Sequence, residues 1–254
     1  MQFDEKWSFV GKKQDNCDAG ADPADAERGE SWDHVAFDPE HRLVVAVVPG
    51  KRTAENCRGL VAEFRRRTGG RLMRLMTSDE YPSYKVAIHE VYGLRTVPLT
   101  VLPRPRGRPR VPRKRVPRGL TYAMVHKHRV DGRVTRVTLE TVFGSDESVA
   151  AALARSAVSR AVNTSFVERH NGTDRHRNAR KARGTYRFSK DWRVHEAMTY
   201  FTMYSYNFCW PVRTLARRDA AGLRRPQTPA MAAGLSDHVW PLSEWAMLPA
   251  TQRC

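Results

Sequence analysis

Residues 2–12 read QFDEKWSFVGK and provide the first predicted element of the fold. Phe3, Trp7 and Phe9 are separated by polar residues, and this alternation predicts a β-strand with one face against the core. Because successive side chains on a strand point to opposite faces, Asp4 lies on the face opposite Phe3. The first predicted strand is therefore half-buried and carries an acid.

Two further strands are predicted after this one. Residues 15–33 are acidic and rich in Ala, Asp and Gly, which predicts a flexible surface loop. Residues 32–37 (WDHVAF) and 42–48 (RLVVAVV) are apolar runs joined by a turn at residues 38–41. The second run is continuously apolar, which is typical of a central strand covered on both faces. We expect the three strands to form an antiparallel meander.

The next predicted elements alternate between helix and strand. Thr53 can cap a helix over residues 53–67, because its short side-chain oxygen can accept a bond from a free backbone N–H. Residues 72–76 (LMRLM) predict a short strand with Asp79 at its C-terminal end, and residues 83–92 predict another helix. This order resembles a ribonuclease-H-like α/β fold, a mixed sheet flanked by helices in which acids at strand ends converge on one edge.

The charge of the chain indicates a polyanionic partner. The sequence has 44 Lys plus Arg against 27 Asp plus Glu, a net charge of +17. Nucleic acid is the leading candidate, since neutralising phosphates releases counterions. We find no apolar run long enough to span a bilayer and no secretory signal, so a cytoplasmic, nucleoid-associated protein without a membrane partner is expected. Cysteines are scattered without a C-x-x-C pair, which predicts neither a zinc ribbon nor a disulfide framework.

A basic arm and a hairpin are predicted to be inserted after the second helix. Residues 103–118 contain eight basic residues and five prolines, which predicts an extended, mobile arm that contacts phosphates or serves only as a solvated linker. Residues 122–130 and 133–143 flank Asp131-Gly132, a favoured two-residue turn, and predict a β-hairpin. Residues 147–160 predict a helix.

Residues 163–183 form a polar segment that predicts a helix with one acid on a basic face. Asn163, Thr164 or Ser165 can cap its start. Seven residues make almost two turns, so Glu168 and Arg175 project from one face. Two interpretations stay open: metal-assisted chemistry on a polyanion, or a solvated surface helix with ordinary charge pairs.

Aromatic residues dominate the next part of the chain. Residues 198–210 (MTYFTMYSYNFCW) predict a helix packed on the domain, and residues 215–254 predict a loosely packed tail with a short helix near residues 242–246. The sequence thus predicts one large domain over residues 1–214 and a tail over residues 215–254.

Four ordered motifs resemble the catalytic half of the insertion-sequence-one family of bacterial DDE transposases. They are DEKWSFVG at residues 4–11, TSDEY at residues 77–81, NTSFVER at residues 163–169 and YNFCW at residues 206–210. By this resemblance Asp4, Asp79 and Glu168 are the catalytic, metal-binding triad. The resemblance implies Mg2+, replaceable by Mn2+, and cleavage at element ends followed by transfer of the 3′-hydroxyl into target DNA. By position alone, Asp33, Asp38 and Glu140 are comparable candidates.

The resemblance also implies partners. Double-stranded DNA is expected as substrate, contacted by a set of basic and polar residues: Arg169, Asn171, Arg175, Arg177, Arg180, Lys181, Arg183 and Lys190. His195 can orient DNA or be a partly buried polar group. A homo-oligomer is expected because two element ends must be paired.

Such transposases usually carry a DNA-recognition region before the catalytic motifs. In this sequence the first matching motif already begins at residue 4. A separate recognition polypeptide is therefore an expected partner. Two explanations of the missing region stay open: a truncated copy, or the downstream frame of a protein completed by frameshifting. Two other functions stay open: a non-catalytic DNA-binding transposase remnant or inhibitor, and a basic RNA-binding protein.

Overall fold

The computed structural model describes residues 1–95 and 114–248. They form an α/β protein with a mixed six-stranded sheet flanked by helices, as the sequence predicts. The chain divides into two compact units, Met1–Arg52 with Thr164–Cys254, and Thr53–Asn163.

The strands are numbered in chain order, and four of them contain only two residues. They are β1 (Gln2–Val10), β2 (Gly29–Asp38), β3 (Leu43–Gly50), β4 (Met76–Ser78), β5 (Leu94–Arg95), β6 (Lys114–Arg115), β7 (Tyr122–Val130), β8 (Arg133–Phe143), β9 (Arg217–Arg218) and β10 (Arg224–Arg225).

The helices are likewise numbered in chain order. They are α1 (Ala54–Arg67), α2 (Ser83–Tyr92), α3 (Asp146–Ala154), α4 (Ser165–Arg177), α5 (Trp192–Cys209), α6 (Pro229–Ala232) and α7 (Leu242–Met247). None of the helices in the described residues is both long enough and apolar enough to cross a membrane.

The first unit contains the predicted antiparallel meander. Strand β2 pairs with β1 on one side and with β3 on the other, so that Ala36 lies opposite Phe3 in β1 and opposite Ala46 in β3. Helices α4 and α5 pack on these strands, and their apolar side chains share one core with the sheet. Its members are Val35, Phe37, Val44, Val47, Val167, Met203 and Tyr206.

Strand β1 differs from the prediction in one respect: both of its faces are covered. Phe3 is fully buried, as expected, but Lys6 on the opposite face is only 1% exposed. The expectation of a solvated polar face is therefore wrong, because helix α4 lies over it.

Helix α4 is shorter than the predicted helix. It ends at Arg177, and Asn178 adopts an extended conformation with φ −115°. The Asn178 side chain accepts a hydrogen bond from the backbone N–H of Arg180, which starts a 3-10 turn over Ala179–Lys181. Such a local side-chain bond offers the backbone an alternative to helix.

The predicted acidic loop contains regular structure. Two 3-10 turns, Gln14–Asn16 and Pro23–Ala26, occupy it, and β2 begins at Gly29 within the predicted loop. Asp25 is 4% exposed and pairs with Lys12 at 2.6 Å and with Arg28 at 3.1 Å. These ion pairs give the segment a fixed conformation.

The second unit contains β4, β7 and β8. Strand β4 is parallel to β7, with Met76 opposite Tyr122, and β7 is antiparallel to β8. The hairpin over β7 and β8 turns at Asp131 and Gly132, both with positive φ, as the sequence predicts. Helices α1 and α2 pack on each other, and α3 contributes Val149 to a core with Ala123, Val125 and Val162.

Two boundaries in the second unit differ from the prediction. The strand predicted at residues 72–76 lies at Met76–Ser78, because only these residues pair with β7. The helix predicted to reach residue 160 ends at Ala154, because the Ser156 hydroxyl accepts backbone bonds from Val158 and Ser159. Most of the predicted basic arm, residues 103–118, lies outside the described residues.

Candidate functional site

Strand β1 and helix α4 run side by side in the first unit and are joined by a ladder of polar contacts. Gln2 Oε1 accepts a hydrogen bond from the backbone N–H of Val167 at 3.0 Å. Two residues further along the strand, Asp4 contacts Asn171, and two further again, Lys6 contacts Asp174. Alternate strand residues therefore meet successive turns of α4, which fixes the position of the helix along the strand.

Asp4 and Asn171 form the central contact of this ladder. Asn171 Nδ2 donates to Asp4 Oδ2 at 2.8 Å, and Asn171 is only 4% exposed. The amide oxygen of Asn171 is buried and has no hydrogen-bond partner among the described residues. The bond from Nδ2 holds one oxygen of the Asp4 carboxylate against α4.

Glu168 lies one turn before Asn171 on α4. Residues three apart on a helix are neighbours, with about 5–6 Å between their Cβ atoms, so Glu168 flanks the contact between Asn171 and Asp4. The Thr164 hydroxyl donates to Glu168 Oε1 at 2.5 Å. Thr164 occupies the N-cap position, but its side chain makes no capping bond to the backbone. It orients the Glu168 carboxylate instead.

Asp79 belongs to the second unit, where it immediately follows β4. It is half-buried, and its Oδ1 accepts from the backbone N–H of Tyr81 at 3.3 Å. The Ser78 hydroxyl lies 2.7 Å from the hydroxyl of Tyr122 and fixes the end of the strand. Burial raises the pKa of the Tyr122 hydroxyl, so it stays protonated. The predicted position of Asp79 at a strand end is thus observed.

A buried ionic network lies directly next to Asp4 on the ladder. Lys6 contacts both Asp174 and Asp33, the latter at 3.1 Å, and Lys181 contacts Asp33 at 2.6 Å. All four charged side chains are at most 1% exposed. Lys181 also donates to the hydroxyl of Thr199 on α5. Two cations balance two anions, and the network joins β1, β2, α4 and α5.

The lysines keep both carboxyls of the network ionised. Burial raises the pKa of Asp33, but Lys181 and Lys6 outweigh this effect and hold the pKa below its ordinary value. Burial likewise opposes ionisation of Asp174, and the same lysines lower its pKa. Asp33 is therefore a structural ion-pair partner, although its position in the sequence made it a comparable candidate for the catalytic acid.

Three histidines among the described residues of this unit are buried: His34, His170 and His195. His170 stacks between the rings of Phe37 and Tyr206, at centroid distances of 4.9 and 4.6 Å, and burial lowers its pKa to about 3. His195 lies within 3.1 Å of the Ser31 hydroxyl and 2.9 Å of the Ser189 hydroxyl, and burial lowers its pKa to about 4. Since His195 is fully buried, we assign it to the core and not to DNA contact.

The residues predicted to contact DNA divide by exposure. Arg169, Arg183 and Lys190 are exposed, and Arg175 and Arg180 are half-buried. Arg175 reaches the backbone carbonyl of β1 at Trp7, 3.5 Å away. These five cations keep their side chains at least partly available to phosphates.

The other three members of the predicted set have internal partners. Lys181 and Asn171 are buried in the contacts described above. Arg177 donates to the carbonyl of Thr202 at 2.8 Å and stacks over the rings of Tyr206 and Trp210. These interactions tie α4 to α5, so we leave Asn171, Arg177 and Lys181 out of the proposed DNA-contacting set.

The chemistry of this site fits a hard divalent cation. Mg2+ and Mn2+ prefer oxygen ligands such as carboxylates and amide carbonyls. The Asp4 and Glu168 carboxylates belong to β1 and α4, which the contact between Asp4 and Asn171 joins. Sequence reasoning placed Asn171 among the DNA contacts and missed the ladder. The available signal was the polar series Gln2, Asp4, Lys6 and Ser8 on one face of a strand.

No protein-family model, curated protein or solved structure matches this chain. Function is therefore inferred from the residues themselves.

Proposed function

We propose that this protein is the catalytic subunit of a DDE transposase of the insertion-sequence-one type. It cleaves DNA at element ends and transfers the 3′-hydroxyl into target DNA in a Mg2+-dependent reaction. Asp4, Asp79 and Glu168 are the proposed metal-binding acids. The observation that carries the proposal is the 2.8 Å hydrogen bond from Asn171 Nδ2 to Asp4 Oδ2, which joins the strand of Asp4 to the helix that carries Glu168.

The surrounding side chains hold the acids in place. Asn171 Nδ2 fixes one oxygen of Asp4, and the Thr164 hydroxyl fixes one oxygen of Glu168. The ion pair between Lys6 and Asp174 anchors the next turn of α4 to β1. When bound, divalent ions in such a site activate a nucleophile and stabilise the leaving oxygen of a phosphodiester. Preorganised ligands favour this chemistry because they need not reorganise during the reaction.

The exposed cations near the site fit a DNA substrate. Arg169 lies next to Glu168 in the sequence of α4, and Arg183 and Lys190 are exposed after this helix. Their charges contact the phosphate backbone and place the scissile bond without reading bases. The proposal also includes the ribonuclease-H-like fold, which is supported by the observed order of three strands, helix, strand and helix over β1 to α2.

The test is nicking of supercoiled plasmid by the purified chain with Mg2+ or Mn2+, and with EDTA as the metal-free control. The variants are Asp4→Asn, Asp79→Asn and Glu168→Gln, with Asp15→Asn as the matched control at an exposed acid. Wild type and Asp15→Asn should nick the plasmid only with metal, and the other three variants should not. Equal nicking by all variants would contradict the assignment of the acids. DNA binding without nicking by wild type would favour a non-catalytic remnant over the enzyme.

A further inference from the structure

We propose that the hairpin formed by β9 and β10 is a second DNA-docking surface, which binds the phosphate backbone of duplex DNA. It rests on the proposed function only in the choice of duplex DNA as the polyanion, and it needs neither metal nor catalysis. The hairpin lies within residues predicted to form a loosely packed tail, and sequence reasoning assigned it no role.

The hairpin brings four arginines together. Arg224 pairs with Arg218, and Arg225 pairs with Arg217, so like charges lie directly opposite each other on neighbouring strands. All four residues are exposed. Like charges in this arrangement destabilise a hairpin, so packing and folding do not explain their presence. A bound polyanion would remove the repulsion.

The hairpin is nevertheless held in a defined shape. Its base is closed by a 2.9 Å bond from the backbone N–H of Val212 to the carbonyl of Gln227. At the turn, Asp219 Oδ1 accepts from the backbone N–H groups of Ala221 at 3.0 Å and Leu223 at 2.9 Å. Gly222 takes the positive φ of 78° that the turn requires. The arginines are therefore presented on a closed turn.

Few acids neutralise these arginines. Asp219 pairs with Arg225 at 2.8 Å, and this is the one ion pair of the hairpin within residues 1–95 and 114–248. Arg218 donates to the carbonyl of Gly222 at 2.9 Å, and Arg224 donates to the carbonyl of Arg213. These bonds to neutral carbonyls orient the guanidinium groups and leave their charge in place.

The chemistry favours a phosphate backbone over a membrane. Guanidinium groups match the oxygens of phosphate in a bidentate geometry. Binding to an anionic bilayer requires a large apolar face beside the cations. The hairpin offers one large exposed apolar side chain at its turn, Leu223, which is 59% exposed. Duplex DNA is therefore the partner that the hairpin fits.

The experiment measures binding of the full chain to a duplex of arbitrary sequence by fluorescence anisotropy over a range of salt concentrations. EDTA is present throughout, so the result does not depend on catalysis. The test variant is Arg217→Gln/Arg224→Gln. The control is Arg66→Gln/Arg67→Gln, which removes the same charge from arginines that are paired with Glu63 at 2.7 and 2.5 Å.

The hairpin variant should bind more weakly, and its slope of log K against log salt should fall by about 2, since each phosphate contact contributes about 0.9. The control should keep the wild-type slope, and Arg217→Lys/Arg224→Lys should restore it. An unchanged slope in the hairpin variant, or an equal loss in both variants, would overturn the proposal. A hairpin variant that binds DNA as tightly as wild type but no longer binds phosphatidylserine vesicles would overturn the proposal in favour of a membrane surface.

Discussion

The side-chain amide of Asn171 donates a 2.8 Å hydrogen bond to the carboxylate of Asp4, across 167 positions of sequence. This contact links the first strand to the helix that carries Glu168. The orientation of Asp4 therefore depends on the position of α4, and α4 is positioned in turn by Gln2 and Lys6.

Replacing Asn171 should weaken metal binding more than it weakens the fold. Asn171→Ala removes the donor that orients the Asp4 carboxylate. Loss of a residue that orients a metal ligand typically costs 10–100-fold in metal affinity, so the Mg2+ concentration for half-maximal nicking should rise by about that factor. The control is Thr173→Ala on the same helix, where the only bond of the hydroxyl to the described part of the chain goes to the carbonyl of Arg169. An unchanged Mg2+ dependence in Asn171→Ala would contradict the assignment.

We expect cleavage and DNA affinity to be lost in different variants. Glu168→Gln should abolish nicking while the dissociation constant for duplex DNA stays within about twofold, because DNA binding depends mainly on cations that contact phosphates. Neutralising the basic residues of the arm at 104–118 should instead lower the affinity and flatten its salt dependence. Equal loss of DNA binding in both proteins, measured by fluorescence anisotropy, would refute these separate roles.

The buried ionic network should show strong coupling. Lys6→Met leaves Asp33 and Asp174 to share Lys181, and a buried charge without full compensation costs about 3–5 kcal/mol. Asp174→Asn should also destabilise the protein. The double variant keeps the balanced pair of Asp33 and Lys181, so its loss should be smaller than the sum of the single losses by about 0.5–3 kcal/mol. Urea denaturation measures all three values, and strict additivity would argue against a coupled network.

Acid should destabilise the protein through His170. Its folded pKa is about 3, whereas an unfolded histidine titrates near 6.5, so folding favours the neutral ring. The stability from this group is fully present above about pH 6.5 and is lost as pH falls toward 3, by up to about 1.4 kcal/mol per pH unit.

His170→Phe should keep the stacking on Phe37 and Tyr206 and remove this dependence. Between about pH 6.5 and 5.5, where the carboxyls of the unfolded chain remain almost fully ionised, the unfolding free energy of the variant should fall less steeply than that of wild type. His195 contributes the same kind of dependence in both proteins, because burial lowers its pKa to about 4. Parallel pH profiles for variant and wild type would show that His170 does not titrate on unfolding.

Local patterns in the sequence predicted much of the fold. Alternation and turn residues predicted the meander and the hairpin, and the cap at Thr53 predicted the start of α1. These features depend on neighbouring residues. Strand β4 was displaced from the predicted segment because its position depends on pairing with β7, which is distant in sequence.

The site was only partly predictable for the same reason. Asp4 and Glu168 are predicted by motif and stay predictions, whereas the position of Asp79 at a strand end is confirmed. Asp174, one of the two ion-pair partners of Lys6, is 168 positions away, so the sequence alone does not distinguish Lys6 from a solvated charge. Lys181 lies in a basic stretch of the sequence that predicts DNA contact. In the fold it forms a buried ion pair with Asp33 instead.

Binding of Mn2+ to the purified chain, followed by the loss of the free-ion signal in electron paramagnetic resonance, tests most directly whether Asp4 and Glu168 hold a divalent metal. Wild type and Asp15→Asn should bind Mn2+ saturably, and Asp4→Asn and Glu168→Gln should lose most of that binding while remaining folded by circular dichroism. Equal Mn2+ binding by all four proteins, or none by wild type, would contradict the proposed metal site and the phosphodiester chemistry that depends on it.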